Sequence, residues 1–379
     1  MELNEIRQSI DKIDDKIVEL LSERMQLSKE VGKIKAQTEK AVYDGKREKE
    51  ILYRLSQKCE DDIKLHVKEI YESIFSASKA YQSKFMSLSS SVKETLDEIV
   101  KNPLLEFPVD ATVACQGVYG ANSGVACERL FPIPQITYFK NFEGVFNAVD
   151  KGLCEFGILP IENSTAGSVL EVYDLMKKHD FHIVRSIKLQ IDHCLAVKNG
   201  VSAKDIKTVI SHEQALNQCS DFIKKRGYEA VSVENTAVGA KRVSESLDDS
   251  VAVICSKDCA TAYGLKVLEL SIQNAEHNYT RFICISKQLR VYKGADKISI
   301  MTSLAHTPGA LNKIVSRFYS LGLNLTKIES RPIQNADFEF MFYFDFEGDI
   351  MDEKGRNLIA ELDNGSDKFV LLGAYKESL

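Results

Sequence analysis

The sequence predicts a multidomain chain in three parts: an all-α unit in front, an α/β unit in the middle and a ferredoxin-like α+β unit at the end. Three observations predict it. Up to about residue 90, apolar residues recur at three- and four-residue steps. From about residue 110 to 287, short apolar runs alternate with helical patterns. After Gly294 the pattern resets to strand, helix, strand, strand, helix, strand. At 379 residues the chain exceeds one ordinary domain, and each part is long enough to bury a core.

Composition narrows the function classes. A hydrophobic content of 44% and a charged content of 27% are those of a globular protein in water. The net charge of -6 argues against a nucleic-acid or anionic-membrane partner, so any basic residues that matter act locally. No run of about 18 apolar residues exists to span a bilayer, and the N-terminus opens into charged helix, so the expected location is cytoplasmic. The nine cysteines are scattered without a CxxC pair, as in a reducing compartment where most are small buried hydrophobes. Asp192-His193-Cys194 has no second cluster to complete a metal site.

The helical part begins with one long amphipathic helix from Leu3 to about Gln37, carried by Ile6, Ile10, Ile13, Ile17, Leu20, Leu21, Met25, Leu27, Val31 and Ile34. Two more follow, Lys46 to Cys59 and Leu65 to Phe85, giving a three-helix unit expected to complete its core by dimerising. Polar residues sit on its apolar side. Arg7 follows Ile6, Arg24 and Lys35 are three turns apart on nearly one face, and Ser78 and Gln82 form an i,i+4 pair. Desolvated cations are costly unless an anion neutralises them, so the cluster implies a bound polyanion, most simply a dicarboxylate.

Residues 1–85 resemble the all-helical chorismate mutase domain. The resemblance rests on Arg7, Arg24, Val31-Gly32-Lys33-Ile34-Lys35, Asp44-Gly45-Lys46-Arg47-Glu48, Ser78 and Gln82. It implies an intramolecular rearrangement of chorismate to prephenate with no cofactor, in which the site folds the substrate and stabilises partial charge. By that resemblance Arg7 (reaching across a dimer), Arg24 and Arg47 clamp two carboxylates with help from Ser78. Lys35 and Gln82 bond the ether oxygen, and Glu48 beside Asp44 holds the ring hydroxyl.

Residues 89–109 read as a linker, partly helical, after which Ala111 to Cys115 begins a strand and Gln116-Gly117-Val118-Tyr119-Gly120 turns into a helix. Strands are expected at 155–159, 182–189, 193–197, 207–210, 229–233 and 251–255, with helices around 122–131, 141–151, 167–179, 213–226, 235–247 and 257–263. This is an α/β region with a largely parallel sheet. Polar segments follow three strands: Pro160-Ile161-Glu162-Asn163-Ser164, Ser211 to Cys219, and Asn235-Thr236-Ala237. Strand C-termini are where open α/β sheets place ligands.

Together with Asn278-Tyr279-Thr280-Arg281-Phe282, these segments resemble prephenate dehydratase over residues 110–290. One departure is Asn122, which stands where the family's first loop carries an aromatic residue. The resemblance implies two α/β lobes of periplasmic-binding-protein form, the second covering about 187–267, with Thr280 carried back to the hinge. It implies loss of carbon dioxide and hydroxide from prephenate, driven by aromatisation and needing an acid near the ring hydroxyl. Thr280 would be the essential group, Arg281 would attract a carboxylate, and Glu162, Asn163, Ser211 and Gln218 would shape the site.

The last part, 295–379, has expected strands at Lys297–Leu304, Leu323–Arg331, Phe338–Phe346 and Lys368–Tyr375, with one helix opened by Pro308-Gly309-Ala310-Leu311 and running to Tyr319 and another near 352–362. The alternating phenylalanines of Phe338–Phe346 are expected in the core. Gly309-Ala310-Leu311 and Glu329-Ser330-Arg331-Pro332 resemble the ACT regulatory domain fused to such dehydratases. The implication is phenylalanine bound at a subunit interface as a feedback inhibitor, its carboxylate on a helix N-terminus.

The whole implies a bifunctional enzyme of phenylalanine synthesis, with chorismate and prephenate as substrates, phenylalanine as effector, no cofactor and no metal, assembled as a homodimer or homotetramer. Three rivals stand beside it: a dehydratase whose helical part is only regulatory, arogenate as the dehydratase substrate, and a non-catalytic amino-acid sensor. The retained Arg7, Arg24, Lys35, Arg47, Glu48 and Gln82 weigh against the first, and Thr280 against the last.

Overall fold

The computed structural model describes residues 3–38, 44–83, 91–102, 105–275, 277–333 and 340–379. The chain forms two compact units, one from Met1–Asp97, Ala305–Leu321 and Glu353–Asp367, the other from Glu98–Leu304, Gly322–Asp352 and Lys368–Leu379. Phe338, one of the expected alternating phenylalanines, lies outside the described residues.

The chain opens with helices α1 (Leu3–Gln37), α2 (Gly45–Ser56), α3 (Lys64–Ser83) and α4 (Ser91–Lys101). Asp44 caps α2, its side chain accepting from the Arg47 N–H at 3.0 Å. Gly32 of α1 is buried against α3, where a Cβ would stand 3.0 Å from the Gln82 Cα and carbonyl oxygen. The missing side chain at Gly32 is what lets the two backbones approach. The apolar stripe of α1 is open in the single chain: Ile6, Ile10, Ile13 and Ile17 are 39%, 49%, 56% and 47% exposed.

Next come β1 (Asp110–Gln116), α5 (Asn122–Leu130), β2 (Ile133–Phe139), α6 (Phe142–Asp150), β3 (Phe156–Asn163), β4 (Gly167–Ser168), α7 (Leu170–Met176) and β5 (His182–Gln190). The second lobe holds β6 (Cys194–Val197), β7 (Thr208–Ser211), α8 (Glu213–Gln218), α9 (Ser220–Arg226), β8 (Glu229–Ser232), α10 (Thr236–Glu245), β9 (Val251–Cys255), α11 (Lys257–Ala262) and β10 (Lys266–Glu269). The chain returns through β11 (Tyr279–Ser286) and ends in β12 (Lys297–Ser303), α12 (Ala310–Leu321), β13 (Leu325–Pro332), β14 (Phe340–Glu347), α13 (Glu353–Gly365) and β15 (Phe369–Ser378).

Two sheets result, one five-stranded in the order β10-β6-β9-β7-β8, the other ten-stranded in the order β13-β14-β12-β15-β5-β11-β3-β1-β2 with β4 beside β3. The large sheet crosses the boundary expected near residue 290, because the end of β15 pairs in parallel with β5, Lys376 against Arg185 and Ser378 against Ile187. Both sheets are mixed instead of largely parallel. β11 lies antiparallel between β3 and β5, and β6 antiparallel to β9 and β10. The cause is the chain path: β11 re-enters the first lobe from the second, so its direction is opposite to that of strands reached by helical crossovers.

Local departures have local causes. The expected helix at 167–179 is a two-residue strand followed by α7, since Gly167 takes φ +82 and Ser168 pairs with Glu162. The expected helix at 213–226 breaks at Cys219, whose φ of -113 is not helical. The strands β2 and β10 were not expected: β2 alternates half-buried with exposed residues and carries Pro134, as an edge strand does. Of the phenylalanines expected in the core, Phe344 and Phe346 are fully buried but Phe340 and Phe342 are only half-buried, while Met341 and Tyr343 on the opposite face of the strand are buried. Eight of the nine cysteines are buried and Cys59 is half-buried.

Candidate functional sites

Adjacent residues of a strand point to opposite faces, and β11 uses this to separate two polar groups. On one side Thr280 meets the end of β3, where Asn163 Nδ2 donates to Thr280 Oγ1 at 2.9 Å, to Asn278 Oδ1 at 2.8 Å and to the Tyr279 carbonyl at 3.1 Å. Asn163 Oδ1 accepts from the backbone N–H groups of Thr165 and Ala166. Asn278 Nδ2 continues to Gln218 Oε1 at 3.1 Å, crossing to the second lobe. Asn278 and Gln218 line a cleft of about 480 Å³ with Thr165, His212, Gln214 and Gln273; Asn163, bonded to Asn278, and Thr280, bonded to Asn163, are not among the lining residues.

Thr280 accepts a hydrogen bond from Asn163, and among the described residues its own hydroxyl proton has no acceptor, which leaves it for a ligand. Ser211 is spent elsewhere: its Oγ donates to the Ile254 carbonyl at 2.5 Å inside the second sheet. Asn122 is half-buried at the first position of α5. Asn278 and His193 are the residues that sequence reasoning left out of the site. Asn278 is 1% exposed, and the signal available in the sequence was its place in the Asn278–Phe282 segment at the entry to an apolar strand.

On the other side of β11 the arrangement departs from the expectation for Arg281 and Glu162. Arg281 is buried, its Nη1 bonded to Asp345 at 2.5 Å and Glu162 at 3.3 Å, and its Nη2 donating to the Tyr375 hydroxyl at 2.7 Å. Its Nε is in ion-pair contact with Glu377 at 2.8 Å, without alignment for a hydrogen bond. A guanidinium held this way does not offer itself to a substrate carboxylate. Burial works against its charge, yet Tyr375, Asp345 and Glu377 raise its pKa above the ordinary value. Glu162 is shared with Lys327 at 2.8 Å; burial pushes its carboxyl up, but Lys327 and Arg281 outweigh this and hold it down.

The segment Glu329-Ser330-Arg331-Pro332 lies on β13 and touches the same lobe. The Ser168 hydroxyl donates to Glu329 at 2.5 Å, and Arg331 forks onto Asp174 at 2.7 and 3.2 Å. Gly309, Ala310 and Leu311, at the start of α12, belong to the helical unit; Gly309 has φ +80.

In the helical unit Arg24 donates to the buried Ser78 hydroxyl and stands 5.8 Å from the Phe75 ring, and burial lowers its pKa. Glu48 is paired with Lys79 at 2.7 Å, both about three-quarters buried. Gln82 Oε1 is buried with no hydrogen-bond partner among the described residues. Arg47 is exposed and pairs with Glu50 at 3.4 Å. Lys35 is half-buried near the end of α1. Arg7 is exposed on the same helix as Arg24, and seventeen residues at helical rise put them about 26 Å apart. The structure thus brings Arg24 to Ser78 and leaves Arg7 away from both.

Comparison with known proteins finds relatives of both parts of the chain. A family model for prephenate dehydratase matches residues 113–290, and one for chorismate mutase type II matches residues 6–83. Arogenate dehydratase/prephenate dehydratase 2 of Arabidopsis thaliana is 37% identical over 276 residues, covering 69% of this chain and 72% of its own. A bifunctional chorismate mutase/prephenate dehydratase of Aquifex aeolicus is 29% identical over 383 residues, covering 100% of this chain and 99% of its own. The solved prephenate dehydratase of Arthrobacter aurescens in complex with L-Phe matches with a TM-score of 0.64 at 28% identity, over 70% of this chain and 89% of that one. With a mutase domain ahead of a dehydratase domain and a relative of the same build along its full length, the chain belongs to the bifunctional chorismate mutase/prephenate dehydratase family.

Proposed function

We propose that this chain rearranges chorismate to prephenate in its helical unit and converts prephenate to phenylpyruvate in the cleft between its two α/β lobes. The observation that carries the second step is the Thr280 hydroxyl, supplied with a donor by Asn163 and free to give its proton to the departing ring hydroxyl. Gln218 binds and orients the substrate from the second lobe, with Asn278 of the first lobe holding its side chain. Arg281 and Glu162 act from behind, holding β11 in register against the C-terminal strands. Ser211 fixes the second sheet from which Gln218 is presented.

For the mutase, Arg24 and Ser78 supply the pair that binds one carboxylate, and the buried Gln82 oxygen marks the place of the reacting ether. An ether oxygen only accepts, so the Gln82 amide turns on binding to offer its N–H groups. Glu48 holds the ring hydroxyl, with Asp44 setting the start of its helix, and Lys35 and Arg47 close the site. Arg7 serves the site of a second copy, a reading supported by its distance from Arg24 and by the open stripe of α1. No described helix is long and apolar enough to cross a membrane.

The segment from Lys297 is an ACT module in this reading, its sheet order β13-β14-β12-β15 being that of a ferredoxin-like βαββαβ unit. Phenylalanine is the effector, bound by Gly309-Ala310-Leu311 and Glu329-Ser330-Arg331-Pro332; the Phe-bound relative supports this. The test is one assay. Purified protein is given chorismate, and its loss and the appearance of phenylpyruvate are followed with and without phenylalanine. Phenylpyruvate formation suppressed by phenylalanine is expected; accumulation of prephenate would overturn the dehydratase reading, and the same assay on arogenate separates the two substrates.

A further inference from the structure

The buried chain of amides behind the cleft fixes which atoms carry protons, and it ends on a histidine. It starts from the backbone. Asn163 Oδ1 takes the N–H groups of Thr165 at 3.0 Å and Ala166 at 2.9 Å, and a backbone N–H only donates, so the orientation of this amide is settled. Asn163 Nδ2 therefore donates to Asn278 Oδ1 at 2.8 Å. Asn278 Oδ1 also takes the Thr165 hydroxyl at 3.0 Å, so the Nδ2 of Asn278 is the group that meets Gln218 Oε1 at 3.1 Å. Gln218 Oε1 in turn lies 2.9 Å from His193 Nε2.

An oxygen acceptor at that distance requires the proton on Nε2. The other ring nitrogen agrees: Nδ1 is buried with no hydrogen-bond partner among the described residues, which an unprotonated nitrogen tolerates better than a stranded N–H. His193 is 4% exposed, and the neighbouring charge does not hold its ring. Asp192 is occupied, accepting from Gln273 Nε2 at 2.6 Å and Ser271 Oγ at 3.1 Å. The His193 backbone N–H is fixed as well, donating to Gln273 Oε1 at 2.9 Å.

We propose that His193 is a positioning residue for dehydration: its Nε2–H and the Asn278 amide together hold the Gln218 side-chain oxygen, so that the Gln218 NH₂ group faces the cleft as a donor to the substrate's anionic and carbonyl oxygens. A glutamine amide held by one donor can turn over and offer its oxygen instead, which repels an anion. Two donors on the same oxygen forbid that rotation. The inference rests on the dehydratase reading, and its test separates the two.

The test uses the full chain. Ring-nitrogen NMR of ¹⁵N-histidine-labelled protein, with His193 assigned by its loss in His193→Gln, should give the neutral Nε2–H tautomer between about pH 6 and 8. A Nδ1–H tautomer, or an imidazolium in that range, would overturn the proposal whatever the kinetics. In steady-state assays His193→Leu should lose dehydration on the order of tenfold to hundredfold, while chorismate rearrangement is unchanged and reports an intact chain. His193→Gln, whose amide N–H can take the place of Nε2–H, should recover most of it. Undiminished dehydration in His193→Leu, or a glutamine variant as impaired as the leucine one, would sink the positioning role. Should wild-type protein not dehydrate prephenate at all, the dehydratase reading falls on its own.

Discussion

Behind the dehydratase cleft, Asn163, Asn278, Gln218 and Thr280 find their hydrogen-bond partners within one chain, and the series is anchored on backbone N–H groups at the end of β3. In the helical unit the Gln82 oxygen is buried without a partner among the described residues, and Arg7 is exposed about 26 Å along α1 from Arg24. The difference follows from the backbone. A strand end leaves amides free to orient side chains before a ligand arrives, whereas a helix uses its own amides and offers only side chains. The cleft is ordered in advance; the helical site is a set of charges whose order depends on what binds.

The sharpest way to break that comparison is at Thr280. Thr280→Ala removes the hydroxyl that accepts from Asn163 and has no acceptor among the described residues, and dehydration should fall by about 10³-fold with mutase activity unchanged. Phenylpyruvate formation from prephenate is the measurement, and activity within tenfold of wild type would mean that the acid lies elsewhere. Arg24→Ala is the mirror experiment. It strips the guanidinium from Ser78 in the helical unit, and chorismate rearrangement should fall by about 10²-fold or more while dehydration of added prephenate is retained. Loss of both activities would instead mean a collapse of the whole chain or a shared site.

How much of this was legible in the sequence depends on what each residue's role required. Arg24, Ser78, Asn163 and Thr280 could be picked out because they stand in motifs that resemble the two enzyme families; residue type and spacing alone, such as the i,i+4 step from Ser78 to Gln82, mark a face but assign no role. Glu162 and Arg281 were legible as important and misread in direction, since period-two alternation puts them on the face away from Thr280 and Asn163. Their partners Asp345, Tyr375, Lys327 and Glu377 were invisible, because β5 pairing with β15 joins positions some 190 residues apart and no local pattern announces it. His193 was visible as a residue but not as a partner of Gln218, a contact across 25 positions that depends on where β6 begins.

The Arg281 cluster tests the same comparison through pH. Burial raises the Glu162 carboxyl, but Lys327 and Arg281 hold it below its ordinary value of 4.5. A carboxyl lowered on folding contributes stability above its ordinary value and loses that contribution as the pH falls through the lowered one. Wild-type protein should therefore weaken below about pH 4.5, the fall continuing as Glu162 and Glu377 protonate. Glu162→Gln should cost about 2 kcal/mol at neutral pH by removing the carboxylate 2.8 Å from Lys327, whose remaining carboxylate contact is the longer one with Glu329 at 3.8 Å, and it should flatten the acid limb. Urea denaturation at neutral pH and near pH 4 gives both; an acid limb as steep as that of wild type would remove Glu162 from the account.

The smallest expected effect is also the most diagnostic for the helical site. Gly32→Ala in α1 gains about 1 kcal/mol of helix propensity, so on an open helix face it would stabilise. Here the new Cβ meets the Gln82 Cα and carbonyl at 3.0 Å, backbone atoms that cannot turn aside as a side-chain tip would. Overpacking of that kind costs about 1–3 kcal/mol, so the net change should be a loss of about 1 kcal/mol. The structural consequence is larger than the energy, because relief comes by moving α3 away and Gln82 moves with it. Mutase activity should then drop more than thermal stability does, with dehydration untouched. A stabilised protein with full mutase activity would mean that α1 and α3 part readily, and that the close approach at Gly32 does not set the position of Gln82.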